Sequence, residues 1–190
     1  EMGFVDAYRC GQGSGSICTT ADAIGIGRAG AQGVYECARA VKEARSNMIT
    51  IADGGLRSAG DIFKALALGA GAVMLGNMLA GHKECPGEIK DDKEMGTVME
   101  YWGMGSKRAK AGINNARVRD YGDHEEGIVK RVRYKGELCE AFLPVIDALR
   151  HAFEVANCRD IFELHNGVDS GEYRFGRRSI AALLESKPHD

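Results

Sequence analysis

The sequence predicts an α/β fold built on a parallel sheet, on three observations. Residues 48–52, MITIA, are a short apolar run rich in β-branched residues, and 71–77, GAVMLGN, form a second buried run. Short continuous apolar runs of this kind read as strands covered on both faces. Between them, 59–68 has helical spacing, with Ile62, Phe63, Leu66 and Ala67 on one side and Gly69 as its stop. Both apolar runs end in glycine, as Asp53-Gly54-Gly55 and Gly76-Asn77. Strand, helix and strand with short links make a βαβ unit. An earlier amphipathic helix over 31–45 puts Val34, Cys37, Ala38 and Val41 on one face. A later one over 138–156 puts Phe142, Ile146, Leu149 and Phe153 inward. Two parallel strands and three helices are an incomplete layer, so the chain reads as the C-terminal part of a larger barrel whose N-terminal half is missing.

The remaining segments are more polar. Residues 88–106, EIKDDKEMGTVMEYWGMGS, have a charged centre between two semi-alternating arms and read as an exposed hairpin. Residues 107–127 read as a long mobile loop, so that 88–136 together form a flap. The barrel portion is expected to run over 1–164 and to be followed by an extended tail over 165–190.

Composition narrows the function. The net charge is −2, from 25 basic and 27 acidic residues, which gives no basic excess for nucleic acid or a membrane surface. No apolar run approaches the roughly 18 residues that span a bilayer. The six cysteines form no C-x-x-C pair, and the five histidines fall in no ligand spacing near them, which argues against structural zinc. Scattered cysteines without a secretion signal fit a reducing, intracellular compartment. The cytoplasm is the first expectation, and a peroxisome-like organelle is left open.

Three constellations carry chemistry. Glycine-ended strands let a backbone approach an anion closely, and helix N-termini add donors, so the tips at Asp53-Gly54-Gly55 and Gly76-Asn77 make a phosphate cradle. Asp53 there can accept ribose hydroxyls. The second is GQGSGSICTT at 11–20, in which Gly11, Gly13 and Gly15 mark a loop of unusual dihedrals around Cys18. A thiol held in such a loop is exposed enough to react, and Thr20 can position a proton-transfer partner. The third is YWGMGS at 101–106, which offers one phosphate-binding hydroxyl and backbone groups for a flat heterocycle. Glu126, beyond the loop, can act as a general acid or base.

Taken together, GSGSICTT, ADGGLRSAGDIFKALALGAGAVMLG, PGE at 86–88, YWGMGS and YKG at 134–136 resemble the catalytic half of the IMP dehydrogenase and GMP reductase family. The resemblance implies a (β/α)8 TIM barrel, of which this chain holds the last three βα units. It implies that Cys18 attacks purine C2 to give a covalent thioimidate. Ser16, Gly55, Gly76, Asn77 and Tyr101 would bind the nucleotide phosphate, and Asp53 the ribose. Gly103, Met104, Gly105 and Glu126 would lie along the base. The carbonyls of Gly13, Gly15 and Cys18 match a monovalent-cation site of the dehydrogenases, for which K+ is the candidate ion.

The resemblance leaves two activities. The dehydrogenase oxidises IMP to XMP with NAD, and an Arg-Tyr pair on a flap activates the hydrolytic water. The reductase converts GMP to IMP and ammonia with NADPH, and must protonate the departing amine. Between Ser106 and Glu126 there is no Arg-Tyr pair; Arg119-Asp120-Tyr121 has a residue inserted. NMLAGH at 77–82 also looks reductase-like, whereas CPGE, YWGMGS and the tail look dehydrogenase-like. The flap bears on chemistry, so the expected activity is GMP reductase, with Thr20 and Glu126 relaying the proton. A homotetramer or larger homo-oligomer is expected from the family.

Overall fold

A computed structural model describes residues 5–27, 30–112, 125–176 and 178–186. Its first layer is a parallel sheet of β1 (Ala7–Cys10), β2 (Ile49–Asp53) and β3 (Ala72–Met74), in that spatial order. The register sets Cys10 beside Ala52, and Asp53 beside Met74. The three carboxyl ends therefore lie together at one edge of the layer.

Helices α1 (Thr20–Ile24), α2 (Ala31–Glu43) and α3 (Ala59–Ala67) follow the strands. α3 starts where it does because the Ser58 side chain accepts the Asp61 amide and so caps the first turn. Cys10, Val34, Ala52, Ala65 and Ala70 form a core between the sheet and these helices, with Cys37, Leu56, Leu68 and Val73 packed against it. Small residues dominate, so helix and sheet approach closely. The opposite sheet face carries Arg9, Asp53 and Met74: the Arg9 Nε lies 3.6 Å from a carboxylate oxygen of Asp53, and its guanidinium reaches the Met74 sulfur.

The second layer is antiparallel. β4 (Ile89–Asp92) and β5 (Gly96–Trp102) form the expected hairpin, closed where Asp92 accepts the amides of Glu94 and Met95. Of the segment 107–127 expected as a loop, the start forms α4 (Lys107–Gly112), and β6 (Val129–Arg133), which follows that segment, pairs with β5. β6 escapes periodicity analysis because VKRVR puts charge on almost every exposed position of an edge strand. The candidate Arg119-Asp120-Tyr121 lies outside the described residues.

α5 (Leu138–Val155) packs on α3, where Phe63 and Phe153 meet edge to face at 5.3 Å. Its expected inward face is only half covered: Ile146 is 38% exposed. Ile146, Leu149, Phe153 and Cys158 line an open groove of about 680 Å³. The expected extended tail is also corrected. Residues 161–170 form α6 (Ile161–Ser170), capped by Asp160, and 180–185 form α7 (Ile180–Glu185), capped by Ser179. Leu164 is 2% exposed and joins Ala67 and Cys158 in a second core, so a boundary at 164 would cut a packed helix. The apolar positions Ile161, Leu164 and Val168 are sparse among polar neighbours, which hid this helix from periodicity analysis. Among the described residues, no helix is long and apolar enough to cross a membrane.

Cys10 ties the first core to solution conditions. Burial, with the Cys37 thiol beside it, pushes the Cys10 thiol up to about 11. An unfolded cysteine ionises near 8.5. The folded state therefore keeps a proton that the unfolded state releases, and stability falls as pH rises through that interval. Chemical denaturation is expected to show a loss on the order of 2 kcal/mol between about pH 9 and 11. In Cys10→Ala that part of the slope should be absent, whatever its stability at neutral pH.

Candidate active site

The parallel sheet positions the first set of groups. Ser14 joins two strand tips, because its hydroxyl lies 2.6 Å from the Gly11 carbonyl and 2.9 Å from the Asp53 carbonyl. This stitching needs glycine at Gly11, where φ is +108° and a Cβ would lie 1.9 Å from the Asp53 carbonyl oxygen. From that anchor the loop carries Ser16 outward and leaves Cys18 half-buried. The Cys18 amide donates to the Gly15 carbonyl, closing a tight turn around the thiol.

The cysteine loop then pairs, antiparallel, with the segment that precedes β6. The Thr19 amide donates to the Glu126 carbonyl, the Ile128 amide donates to the Ile17 carbonyl, and Cys18 faces Gly127. On its other side the same segment meets the chain leaving β5. There the Glu126 amide donates to the Gly105 carbonyl, and the Gly103 amide to the Ile128 carbonyl. Three stretches far apart in sequence thus form one small hydrogen-bonded layer over the strand tips.

That layer brings the side chains into line. The Cys18 thiol donates to the Thr20 hydroxyl at 3.1 Å, and the Thr20 hydroxyl donates to a Glu126 carboxylate oxygen at 2.9 Å. Thr20 is 7% exposed. Its hydroxyl is therefore held in one orientation, with donor and acceptor on opposite sides. A proton on sulfur has a continuous path to a carboxylate, two hydrogen bonds long.

A second group forms beside it. The Tyr101 side chain hydrogen-bonds to Ser16. Burial pushes the Tyr101 phenol above its ordinary value, only partly opposed by that hydrogen bond, so at neutral pH it stays a donor. Its hydroxyl also closes on Gly76, where an added Cβ would lie 2.6 Å away. Ser16, Gly55, Gly76 and Asn77 are all exposed, and the space next to Gly55 is open. Asp53 borders this group and is paired with Arg9. Met104 is 61% exposed on the chain leaving β5.

The carbonyls of Gly13, Gly15 and Cys18 share the cysteine loop. The Gly15 oxygen, though bonded to the Cys18 amide, keeps a second lone pair. Neutral carbonyl oxygens of this kind are a donor set that fits a monovalent cation.

Sequence reasoning missed Ser14, Arg9, Lys130 and Lys135. The Lys130 ammonium donates to the Ser16 carbonyl at 2.7 Å, and that of Lys135 to the Asn77 and Met78 carbonyls at 3.3 and 3.5 Å. Nothing local marks Lys130, and Lys135 sits in the YKG stretch at 134–136, to which no role was attached. Their partners are 114 and 58 residues away in sequence; the β5–β6 register brings Lys130 over, and beyond β6 the Lys135 amide is held by the Gly81 carbonyl.

The contact between Gly76 and Tyr101 is open to a double-mutant cycle. Gly76→Ala is expected to destabilise the chain by about 1–2 kcal/mol, because its methyl group collides with the phenolic oxygen. In a Tyr101→Phe background the oxygen is gone, and the same substitution should cost less than about half as much in denaturant titrations.

Three comparisons bear on this geometry. Residues 2–189 match the family model of the IMP dehydrogenase / GMP reductase domain. The chain is 38% identical to an inosine-5'-monophosphate dehydrogenase of Streptococcus pyogenes over 98% of its own length and 37% of that relative's. It is 39% identical to the corresponding enzyme of Aquifex aeolicus over 97% and 37%. A crystal structure of a GMP reductase from Trypanosoma brucei, in complex with guanosine 5'-monophosphate, superposes with a TM-score of 0.83 at 32% identity, over 97% of this chain and 36% of that one. The chain thus spans little more than a third of the length of these relatives. With an α/β fold of TIM-barrel type and a sequence match along almost its whole length, the chain belongs to the IMP dehydrogenase / GMP reductase family of purine nucleotide oxidoreductases.

Proposed function

We propose that the chain carries the catalytic cysteine portion of a GMP reductase, which converts GMP to IMP and ammonia at the expense of NADPH. The observation that supports this reading most is the continuous hydrogen-bonded line from Cys18 through Thr20 to Glu126. A reductase must do two things with protons at one place. It must remove one from the thiol so that sulfur can attack purine C2, and it must deliver one to the amine that departs from the same carbon. In this reading Glu126 takes the thiol proton through Thr20, and the thiolate adds to C2. The protonated line then hands its proton to the exocyclic nitrogen, which leaves as ammonia. The remaining covalent thioimidate accepts a hydride at C2 and expels the thiolate, giving IMP. The nicotinamide, when bound, supplies that hydride.

The other groups hold the nucleotide still while this happens. Ser16, Gly55, Gly76, Asn77 and the Tyr101 hydroxyl surround the phosphate, Asp53 takes the ribose hydroxyls, and Gly103, Met104 and Gly105 lie along the base. The carbonyls of Gly13, Gly15 and Cys18 would hold a potassium ion through their oxygen lone pairs and so steady the loop that carries the thiol. Three further features extend the reading. The groove beside α5 and the half-covered sheet support placement as the last part of a closed (β/α)8 barrel. A homotetramer is the assembly proposed for the whole enzyme, and the cytoplasm its compartment.

A second reading, IMP dehydrogenase with NAD, is favoured by the names of the curated relatives. The two differ in the direction of hydride transfer. Absorbance of the reduced nicotinamide should fall with GMP and NADPH if the first reading holds, and rise with IMP and NAD if the second does. Cys18→Ala is expected to lower turnover by at least about 1,000-fold in either case while nucleotide binding persists, because the covalent step is lost. Glu126→Gln should reduce kcat for GMP by roughly 100-fold or more with a KM change under about threefold, the signature of a lost proton-transfer group. Normal turnover with weakened binding would remove Glu126 from the relay.

A further inference from the structure

We infer that Lys130 is a phosphate-binding residue that distinguishes a nucleoside monophosphate from the bare nucleoside. The inference deepens the reading above and rests on it. The groups gathered for the phosphate, namely Ser16, Gly55, Gly76, Asn77 and Tyr101, are all neutral. A phosphomonoester carries close to two negative charges at neutral pH. Neutral donors and a helix N-terminus can seat such an anion, and a nearby cation strengthens its hold on the charge.

Lys130 has the position and the donors to do so. It lies directly opposite Tyr101 in the β5–β6 register. Residues directly opposed on antiparallel strands project from the same face, with Cβ atoms about 5 Å apart. The two side chains then converge on one residue: Tyr101 bonds to the Ser16 side chain, and the Lys130 ammonium lies 2.7 Å from the Ser16 carbonyl. The ammonium is thus anchored at the residue that borders the cradle. Its bond to Ser16 uses one of three N–H donors, which leaves the others for an anion seated there. The side chain is exposed, so no protein group has to move for a ligand to reach it. Lys135 donates to the Asn77 and Met78 carbonyls, so a second positive charge lies beside Asn77. Asp53, the nearby carboxylate, is paired with Arg9, which offsets its charge.

The alternative for Lys130 is a brace that merely steadies the cysteine loop through Ser16. The two roles separate when the phosphate is removed from the ligand. The full chain, and its Lys130→Met and Lys130→Arg variants, are titrated with GMP and with guanosine. Binding is read from protection of Cys18 against iodoacetamide at several salt concentrations. Lys130→Met should weaken GMP by about 10- to 100-fold, the loss of one charge-assisted hydrogen bond, and leave guanosine within about twofold. It should also flatten the salt dependence for GMP, and Lys130→Arg should restore most of the affinity. Equal losses for GMP and guanosine, or an unchanged GMP titration, overturn the inference while leaving the proposed activity intact. Failure of GMP and IMP to protect Cys18 in the unaltered chain overturns the proposed activity itself, and the role of Lys130 with it.

Discussion

The short antiparallel pairing between residues 17–19 and 126–128 is the constraint on which the candidate site depends. A loop with glycine at 11, 13 and 15 has high conformational entropy, and nothing within it fixes where its thiol points. Two backbone hydrogen bonds at Ile17 and Thr19 supply that direction. They also carry Glu126 to the one place where its carboxylate can meet Thr20. Hydrogen bonds of this kind are modest singly, of the order of 1 kcal/mol each. Here they act on a segment already pinned at its base by Ser14, so little freedom remains to be lost.

The site sits where two sheets with different jobs meet. The parallel layer supplies strand tips, and its register places Asp53 and the start of the cysteine loop side by side. The antiparallel layer supplies reach. Tyr101 and Lys130 are opposite one another on β5 and β6, and both extend across to the first layer at Ser16. Neither layer alone brings Ser16, Tyr101 and Lys130 together beside Cys18. Close approach is possible because glycines stand at the contact points, Gly76 beneath the Tyr101 hydroxyl and Gly103 against the Ile17 carbonyl.

The groove along α5 and the half-exposed apolar residues on the sheet belong to a different part of the molecule. The groove is lined by Ile146, Leu149, Phe153 and Cys158, and Tyr8 and Met74 are the half-exposed residues on the strands. Parallel sheets are ordinarily covered on both faces. The relatives are nearly three times as long as this chain, so the faces left open here have ample polypeptide to meet in such proteins.

The parallel βαβ layer was legible from the residues alone, because its signals are local. MITIA and GAVMLGN are continuous apolar runs, Ile62, Phe63, Leu66 and Ala67 keep helical spacing between them, and Gly69 ends the helix. The reactive loop was legible for the same reason, since a cysteine among glycines needs no partner to be noticed. What escaped was set by distance along the chain. β6 carries its apolar residues too sparsely for periodicity to reveal, and the final helices were hidden among polar neighbours although capped by Asp160 and Ser179. Sequence by itself determined which side chains were chemically apt: Cys18, Thr20, Glu126, Tyr101. Only the tertiary structure decided that they converge, and that Lys130 and Lys135 reach the Ser16 and Asn77 carbonyls. Strand register is a property of two segments at once, and neither segment encodes it alone.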